Sequence, residues 1–369
     1  METDIAAYLS LMVRKGAADL FCTVGAPVSL SIDGKILPVG HDVLDSQTNR
    51  AMIYSILSDD QIREFEENFE LNMGISYQGI GRFRVNVYRQ RGEVAMVVRH
   101  VKDQIPAFAE LGLPDILKQI VMEKSGLVLV VGATGSGKST TLASMIDYRN
   151  SNDRGHIITI ENPIEFVHEH KKSLVDQREV GLDTRSYNQA LENVLREAPN
   201  VIVIGEIRDK EGMKHAVHYA ETGHLCLSTL HASNSFQAFE RILNFFEPSA
   251  HHALLGDLSQ HLRAIIAQRL VKMPGGGRTA AVEVLLNSPY ISDLIAEGEI
   301  GQIHDAMERA ETDGMQTFDH ALYNLVHEGR IEPAEALAHA DSRNNLGLRL
   351  RLEKGVELPA IEDLAVIDK

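Results

Sequence analysis

A chain of 369 residues has room for two or three domains. Its 36 Lys and Arg against 52 Asp and Glu leave a formal charge of −16, which excludes a nucleic-acid coat. With 44% hydrophobic and 24% charged residues it is no disordered chain, and two cysteines, Cys22 and Cys226, exclude a disulfide scaffold or zinc ribbon. No apolar run approaches the roughly 20 residues that span a bilayer. The start METDIAAYLS lacks the basic region of a signal peptide. The expectation is a soluble protein of a reducing, cytoplasmic compartment.

Ile5, Leu9, Met12 and Val13 fall on one helical face, with Gly16 as a stop. Ser58-x-x-Gln61 has the form of a capping box opening a short acidic helix. In RFRVNVYRQRG, Phe83, Val85 and Val87 alternate with Arg84, Asn86 and Tyr88, the pattern of a half-buried strand. A turn at Arg91–Gly92 leads into a second strand over 94–99. If those two residues are the turn centre, cross-strand partners sum to 183 and Arg84 faces Arg99. Like charges directly opposite destabilise a sheet, so an anion between them would explain the pair. Residues 1–100 thus form a small α+β domain, and 101–113, with two prolines, reads as a linker.

From residue 114 to 344 apolar runs alternate with helical stretches: 127–131, 157–160, 201–204 and 225–230. This predicts an α/β domain with a parallel sheet and helices on both faces. Residues 250–340 are mostly helical in pattern, broken by the loop PGGGR at 274–278. Residues 345–369 have weak periodicity and read as an irregular tail.

The run Gly132-Ala133-Thr134-Gly135-Ser136-Gly137-Lys138-Ser139 satisfies G-x-x-x-x-G-K-[ST] between a strand and a helix. Glycines let backbone N–H groups point at phosphate oxygens, and the helix N-terminus, with Ser139 and Thr140, adds partial positive charge. Lys138 supplies charge for the β- and γ-phosphates of ATP, and the Ser139 hydroxyl suits Mg²⁺. Neither is a base. Carboxylates end two other strands: Glu161 and Glu165 in HIITIENPIE, and Glu206 in VIVIGEIRD. Ligands of a parallel sheet gather at the carboxyl ends of its strands. The base is therefore Glu165, Glu161 or Glu206, and Glu206 is also a candidate for the metal's water shell. His231, ending the strand LCLSTL, is placed to sense or donate to the γ-phosphate.

The order GATGSGKS, TIENPIEFVH, VIVIGEIRD and ETGHLCLSTLH, with RFRVNVYRQRG upstream and GMQTFD downstream, resembles the secretion ATPases of type II secretion and type IV pili. Within them it is similar to the pilus retraction motors, the PilT/PilU group. The resemblance implies a RecA-like P-loop NTPase core behind a smaller, PAS-like N-terminal domain. It implies a hexameric, Mg²⁺-dependent ATPase at the cytoplasmic face of the inner membrane. Its partners would be a pilus platform protein and a related retraction motor, with no nucleic acid. It also implies that Arg84 and Arg99 reach the nucleotide phosphates when the domains close. The chain departs from the family pattern at Glu192, Ala198, Asn200, Asn162 and Ser292. These departures favour an accessory, PilU-like member. The other readings are a nucleotide-binding ring subunit that modulates a partner motor, and a type II secretion or pilus assembly ATPase.

Overall fold

The computed structural model describes residues 4–32, 34–101, 104–310 and 314–354. The chain divides into two compact units. The first takes the N-terminal chain to Ile105 together with Glu161–Glu169 and Gln177–Gln189. The second takes Pro106–Ile160, His170–Asp176 and the chain from Ala190 onward.

The N-terminal chain forms α1 (Ile5–Arg14), β1 (Asp19–Cys22), β2 (Pro27–Ile32), β3 (Lys35–Val43), α2 (Ser46–Tyr54), α3 (Asp59–Asn68), β4 (Glu70–Tyr77), β5 (Gly81–Gln90) and β6 (Glu93–Val101). The strands make one antiparallel sheet in the order β3-β2-β1-β6-β5-β4. Ile5, Leu9 and Met12 of α1, with Met52, Ile53 and Phe65, pack on the apolar side chains of β5 and β6. Gly16 takes a positive φ of 62° and ends the first helix, as its sequence implies. The expected capping box is formed: Ser58 Oγ accepts from Gln61 N–H, and the Gln61 side chain accepts from Ser58 N–H.

The alternation in β5 holds, with Phe83, Val85 and Val87 fully buried and Arg84 exposed. Arg91 and Gly92 both have positive φ, 51° and 80°, the requirement of a tight two-residue hairpin. Gln90 accordingly faces Glu93, and Arg84 faces Arg99. The next strand adds Asp19 opposite Arg99, and its carboxylate accepts from Arg99 Nε at 2.7 Å. Asp19 thus neutralises Arg99 from the side away from Arg84, and is not an anion between the two arginines.

From Phe108 onward the chain forms α4 (Phe108–Leu111), α5 (Ile116–Val121), β7 (Gly126–Val131), α6 (Lys138–Asn152), β8 (His156–Glu161), β9 (Leu174–Glu179), α7 (Tyr187–Asn193), β10 (Val201–Ile204), α8 (Lys210–Glu221), β11 (Leu225–Leu230), α9 (Ser235–Leu243), α10 (His251–His261), β12 (Leu262–Lys272) and β13 (Arg278–Leu286). Five helices follow: α11 (Pro289–Glu297), α12 (Ile303–Glu308), α13 (Phe318–His327), α14 (Pro333–His339) and α15 (Arg343–Lys354). The sheet order is β13-β12-β7-β11-β10-β8-β9. Strands β7, β10 and β11 are buried along their whole length, which is why they read as unbroken apolar runs.

Three expectations need correction. Residues 262–286 are a long antiparallel hairpin, Ala264 opposite Leu286 through Lys272 opposite Arg278, with PGGGR as its turn. The sequence LRAIIAQRLVK is apolar on both faces because β12 lies inside the sheet, and burial on both faces erases the period that separates strand from helix. The expected linker 101–113 contains α4, whose Phe108 joins Leu113 in the core of the second unit. The tail is helical through Lys354, with Leu346 and Leu350 buried; residues 355–369 lie outside the described residues. Both cysteines are buried, and burial pushes the Cys22 thiol up to about 12 and raises that of Cys226 as well.

Two substitutions test this packing. Ser58→Ala removes the cap of α3 and should cost about 1 kcal/mol in a denaturant titration. Phe83→Ala, at a fully buried site, should cost about 3–5 kcal/mol.

Candidate active site

Strand β7 leaves the sheet at Val131, and the chain must turn at once to expose N–H groups. Gly132 makes that turn: a β carbon there would stand 2.3 Å from Ser136 Oγ and 2.7 Å from the Gln268 carbonyl oxygen. Gly137 has a φ of 90°, and a β carbon there would stand 2.9 Å from Gln268 Nε2. Ala133, Thr134 and Gly135 are exposed at the crest, and Ser139 and Thr140 are half-buried in the first turn of α6. Lys138 is 8% exposed and donates from Nζ to the carbonyls of Gly132 at 2.8 Å and Ala133 at 2.9 Å. The loop thus holds its own lysine in position. Ser136 Oγ is buried without a hydrogen-bond partner. A cradle of backbone donors, one buried cation and an unsatisfied hydroxyl fits a phosphate chain.

Gln268 is a residue the sequence analysis missed. It lies on β12, one residue after Ala267, which pairs with Val131 at the end of β7. Its Oε1 accepts from Thr141 Oγ1 at 2.7 Å, so it braces α6 while its backbone and amide close the space behind the two glycines. Reading PGGGR as a hairpin turn would have put Gln268 on a strand and was the available signal.

The loops after β7, β11 and β10 leave adjacent parallel strands. Glu206, just beyond β10, and His231, just beyond β11, meet with Oε1 and Nε2 3.0 Å apart. The other Glu206 oxygen accepts from Arg208 Nε at 2.7 Å. Glu206 is therefore oriented by two nitrogen partners, and its half-buried carboxylate is fixed rather than free to rotate. Thr229 and Ser228 bond back to the carbonyls of Gly205 and Ile204, tying the end of β11 to the turn that carries Glu206.

Glu161 ends β8 and is half-buried; its Oε1 accepts from Gln177 Nε2 at 3.2 Å. Glu165 is exposed, and its N–H donates to Glu161 Oε2 at 3.4 Å. These two carboxylates cluster with the first unit, whereas Lys138, Ser139, Glu206 and His231 belong to the second. Arg84 and Arg99 stand on the first unit, and among the described residues Arg99 is the one paired, with Asp19. That hydrogen bond stabilises the charged guanidinium, and the negative charge of Glu165 adds to the effect.

Of the departures noted above, Asn200 has a local role. Its Oδ1 accepts from His156 N–H at 2.8 Å, a bond that an aspartate would also accept. Gly155 makes the approach possible, since a β carbon there would stand 2.9 Å from that oxygen.

Comparison with known proteins agrees with this geometry. The family model described as type II/IV secretion system protein matches residues 3–336. The type IV pilus ATPase PilU of Pseudomonas aeruginosa is 52% identical over 345 residues, covering 93% of this chain and 90% of its own. The type IV pilus retraction ATPase PilT of the same organism is 40% identical, covering 93% and 99%. The crystal structure of the pilus retraction motor PilT with bound ADP superposes with a TM-score of 0.87 at 40% identity, covering 94% of this chain and 99% of that one. With a family model spanning most of its length and two full-length relatives, the chain belongs to the type II/IV secretion system proteins, among the type IV pilus ATPases of the PilU and PilT kind.

Proposed function

We propose that this chain is an ATP-hydrolysing motor subunit of a type IV pilus and works in retraction as a PilU-like accessory motor. The observation that carries the reading is the phosphate cradle of 132–140 beside the oriented Glu206–His231 pair, in a chain similar over nearly its whole length to PilU. No helix among the described residues is long and apolar enough to cross a membrane. In this reading the chain acts as a ring of six at the cytoplasmic base of the pilus. It would work there against an inner-membrane platform protein and beside a related retraction motor.

The chemistry is in-line attack of water on the γ-phosphate of ATP. The N–H groups of the loop and the first turn of α6 bind the phosphates, and Lys138 neutralises their β/γ oxygens. Ser139 Oγ would hold Mg²⁺, with Glu206 placed to orient its bound water, and the ion would supply further neutralisation of phosphate charge. Glu165 polarises the water, with Glu161 as the nearer neighbour of its backbone. His231 couples the end of β11 to Glu206, so a change at the γ-phosphate is felt by that strand. Arg84 and Arg99 approach the phosphates when ATP draws the units together, and Arg99 must exchange Asp19 for phosphate to do so.

The deciding measurement is ATP turnover of the purified chain, alone and mixed with a PilT-like motor. Turnover alone supports an autonomous enzyme; turnover only in the mixture supports a modulating subunit. Lys138→Ala should lower turnover about 100-fold or more with the circular dichroism spectrum unchanged. Glu206→Gln should slow hydrolysis at saturating ATP about 100-fold while nucleotide affinity stays within about threefold, since a lost base or metal organiser raises the chemical barrier more than it weakens binding. Arg84→Ala and Arg99→Ala should each lower kcat/KM for ATP about tenfold, since each removes a charge-assisted contact to phosphate, as measured by steady-state turnover.

A further inference from the structure

Strand β13 carries a carboxylate that the proposed chemistry does not use. Glu283 is 1% exposed, set in the apolar run AAVEVLL. A charge so enclosed is costly unless it is paired. Its Oε1 accepts from the buried Ser235 N–H at 2.7 Å. Ser235 opens α9, and the first N–H groups of a helix have no partner within it. A carboxylate at that end is also favoured by the helix dipole. Burial raises the proton affinity of Glu283, and the bond from Ser235 works against that rise.

The place of this bond in the sheet gives it a meaning beyond capping. Glu283 pairs with Ala267, Ala267 with Val131, and Val131 with Leu230, one row across β13, β12, β7 and β11. Val131 precedes the phosphate loop, and Leu230 precedes His231. β13 lies three strands from β11, about 14 Å at ordinary strand spacing. Residues 231–234 and the Glu283 side chain together bridge that gap. Asn234 is extended, with φ −157° and ψ 178°. Two further bonds of this stretch are local: Asn234 Oδ1 accepts from Gln237 N–H at 2.9 Å, and Gln237 Oε1 accepts from Ser233 Oγ at 2.5 Å. Upstream, Ser228 and Thr229 fix the end of β11; downstream, Glu283 fixes the start of α9. His231 is held between the two, with Nε2 3.0 Å from Glu206.

We propose that Glu283 is a positioning residue of the active site: it moors the start of α9 to β13 and so holds the turn 231–234 in the form that sets His231 against Glu206. The hairpin of β12 and β13 then gauges two loops at once, bracing α6 through Gln268 and the His231 turn through Glu283. The catalytic consequence rests on the ATPase reading above; the mooring itself does not.

The test uses the full chain and two readouts: hydrogen exchange of peptides covering 231–243, and steady-state kcat and KM for ATP. Glu283→Met keeps the volume and deletes the acceptor, whereas Glu283→Gln keeps an acceptor oxygen and deletes only the charge. Glu283→Met should speed exchange over 231–243 about tenfold, with peptides 132–140 and 81–101 exchanging as in the parent. It should lower kcat about tenfold with KM within about twofold, and Glu283→Gln should recover most of both effects. A residue that acts through His231 has nothing left to position once that side chain is gone. In a His231→Ala background, Glu283→Met should therefore lower kcat by less than about twofold more. Should Glu283→Met fail to fold, Glu283→Asp, which draws the carboxylate back by one methylene, carries the comparison with a smaller shift in the same direction. Unchanged exchange over 231–243 in a folded variant overturns the mooring, as does equal acceleration in all three peptides. Losses of kcat that multiply with that of His231→Ala overturn the positioning role. A parent chain without turnover, whose 231–243 peptides still loosen in Glu283→Met, overturns the hydrolysis reading and supports the mooring.

Discussion

A phosphate chain is gripped most economically by bare backbone, and the second unit is arranged around that constraint. Strand β7 is buried along its whole length, yet its chain must turn into solvent within one residue and offer N–H groups instead of side chains. Only glycine fits at 132, because Ser136 Oγ and the Gln268 carbonyl occupy the space of a β carbon. The neighbouring strand β12 supplies Gln268, whose side chain reaches Thr141 in the helix that the loop opens. Strand, loop, helix and bracing strand therefore depend on one another.

The residues at the ends of β10 and β11 follow from the same geometry. Parallel strands in register bring their carboxyl ends to one edge, and Glu206 meets His231 there without any sequence proximity between them. On the N-terminal sheet the same economy places Asp19, Arg99 and Arg84 in one row across three strands. The aspartate makes Arg99 tolerable in that row. It also makes the arginine's contact with any phosphate an exchange of one oxygen anion for another.

Local patterns were legible where one face is wet. Phe83, Val85 and Val87 gave away β5, and the turn at Arg91–Gly92 located the pairing of Arg84 with Arg99 from arithmetic alone. The P-loop and the strand-end carboxylates were legible because their spacing is dictated by chemistry. What escaped is what long-range burial decides. β12 is apolar on both faces, so its eleven residues carry no strand period, and Gln268 was hidden with it. Gln177 and Glu179 lie on β9, whose LVDQRE has no apolar run and so gives no strand signal. Their partners, Phe166, His168, Ile164 and Arg82, are set by tertiary pairing that no local pattern reveals. The tail misled for the opposite reason: α15 buries Leu346 and Leu350 but leaves Leu348 and Leu352 in solvent, so its face is poorly defined.

The burial of Cys22 and Cys226 has a practical consequence. A thiol reacts as its thiolate, and both native thiols are enclosed and held protonated at neutral pH. The protein is therefore chemically silent toward maleimides and iodoacetamide while folded. A cysteine introduced on the exposed surface of either unit would be the single reactive handle, with no need to remove the native pair. Two such handles, one on each unit, would let a pair of probes be attached without altering any native residue.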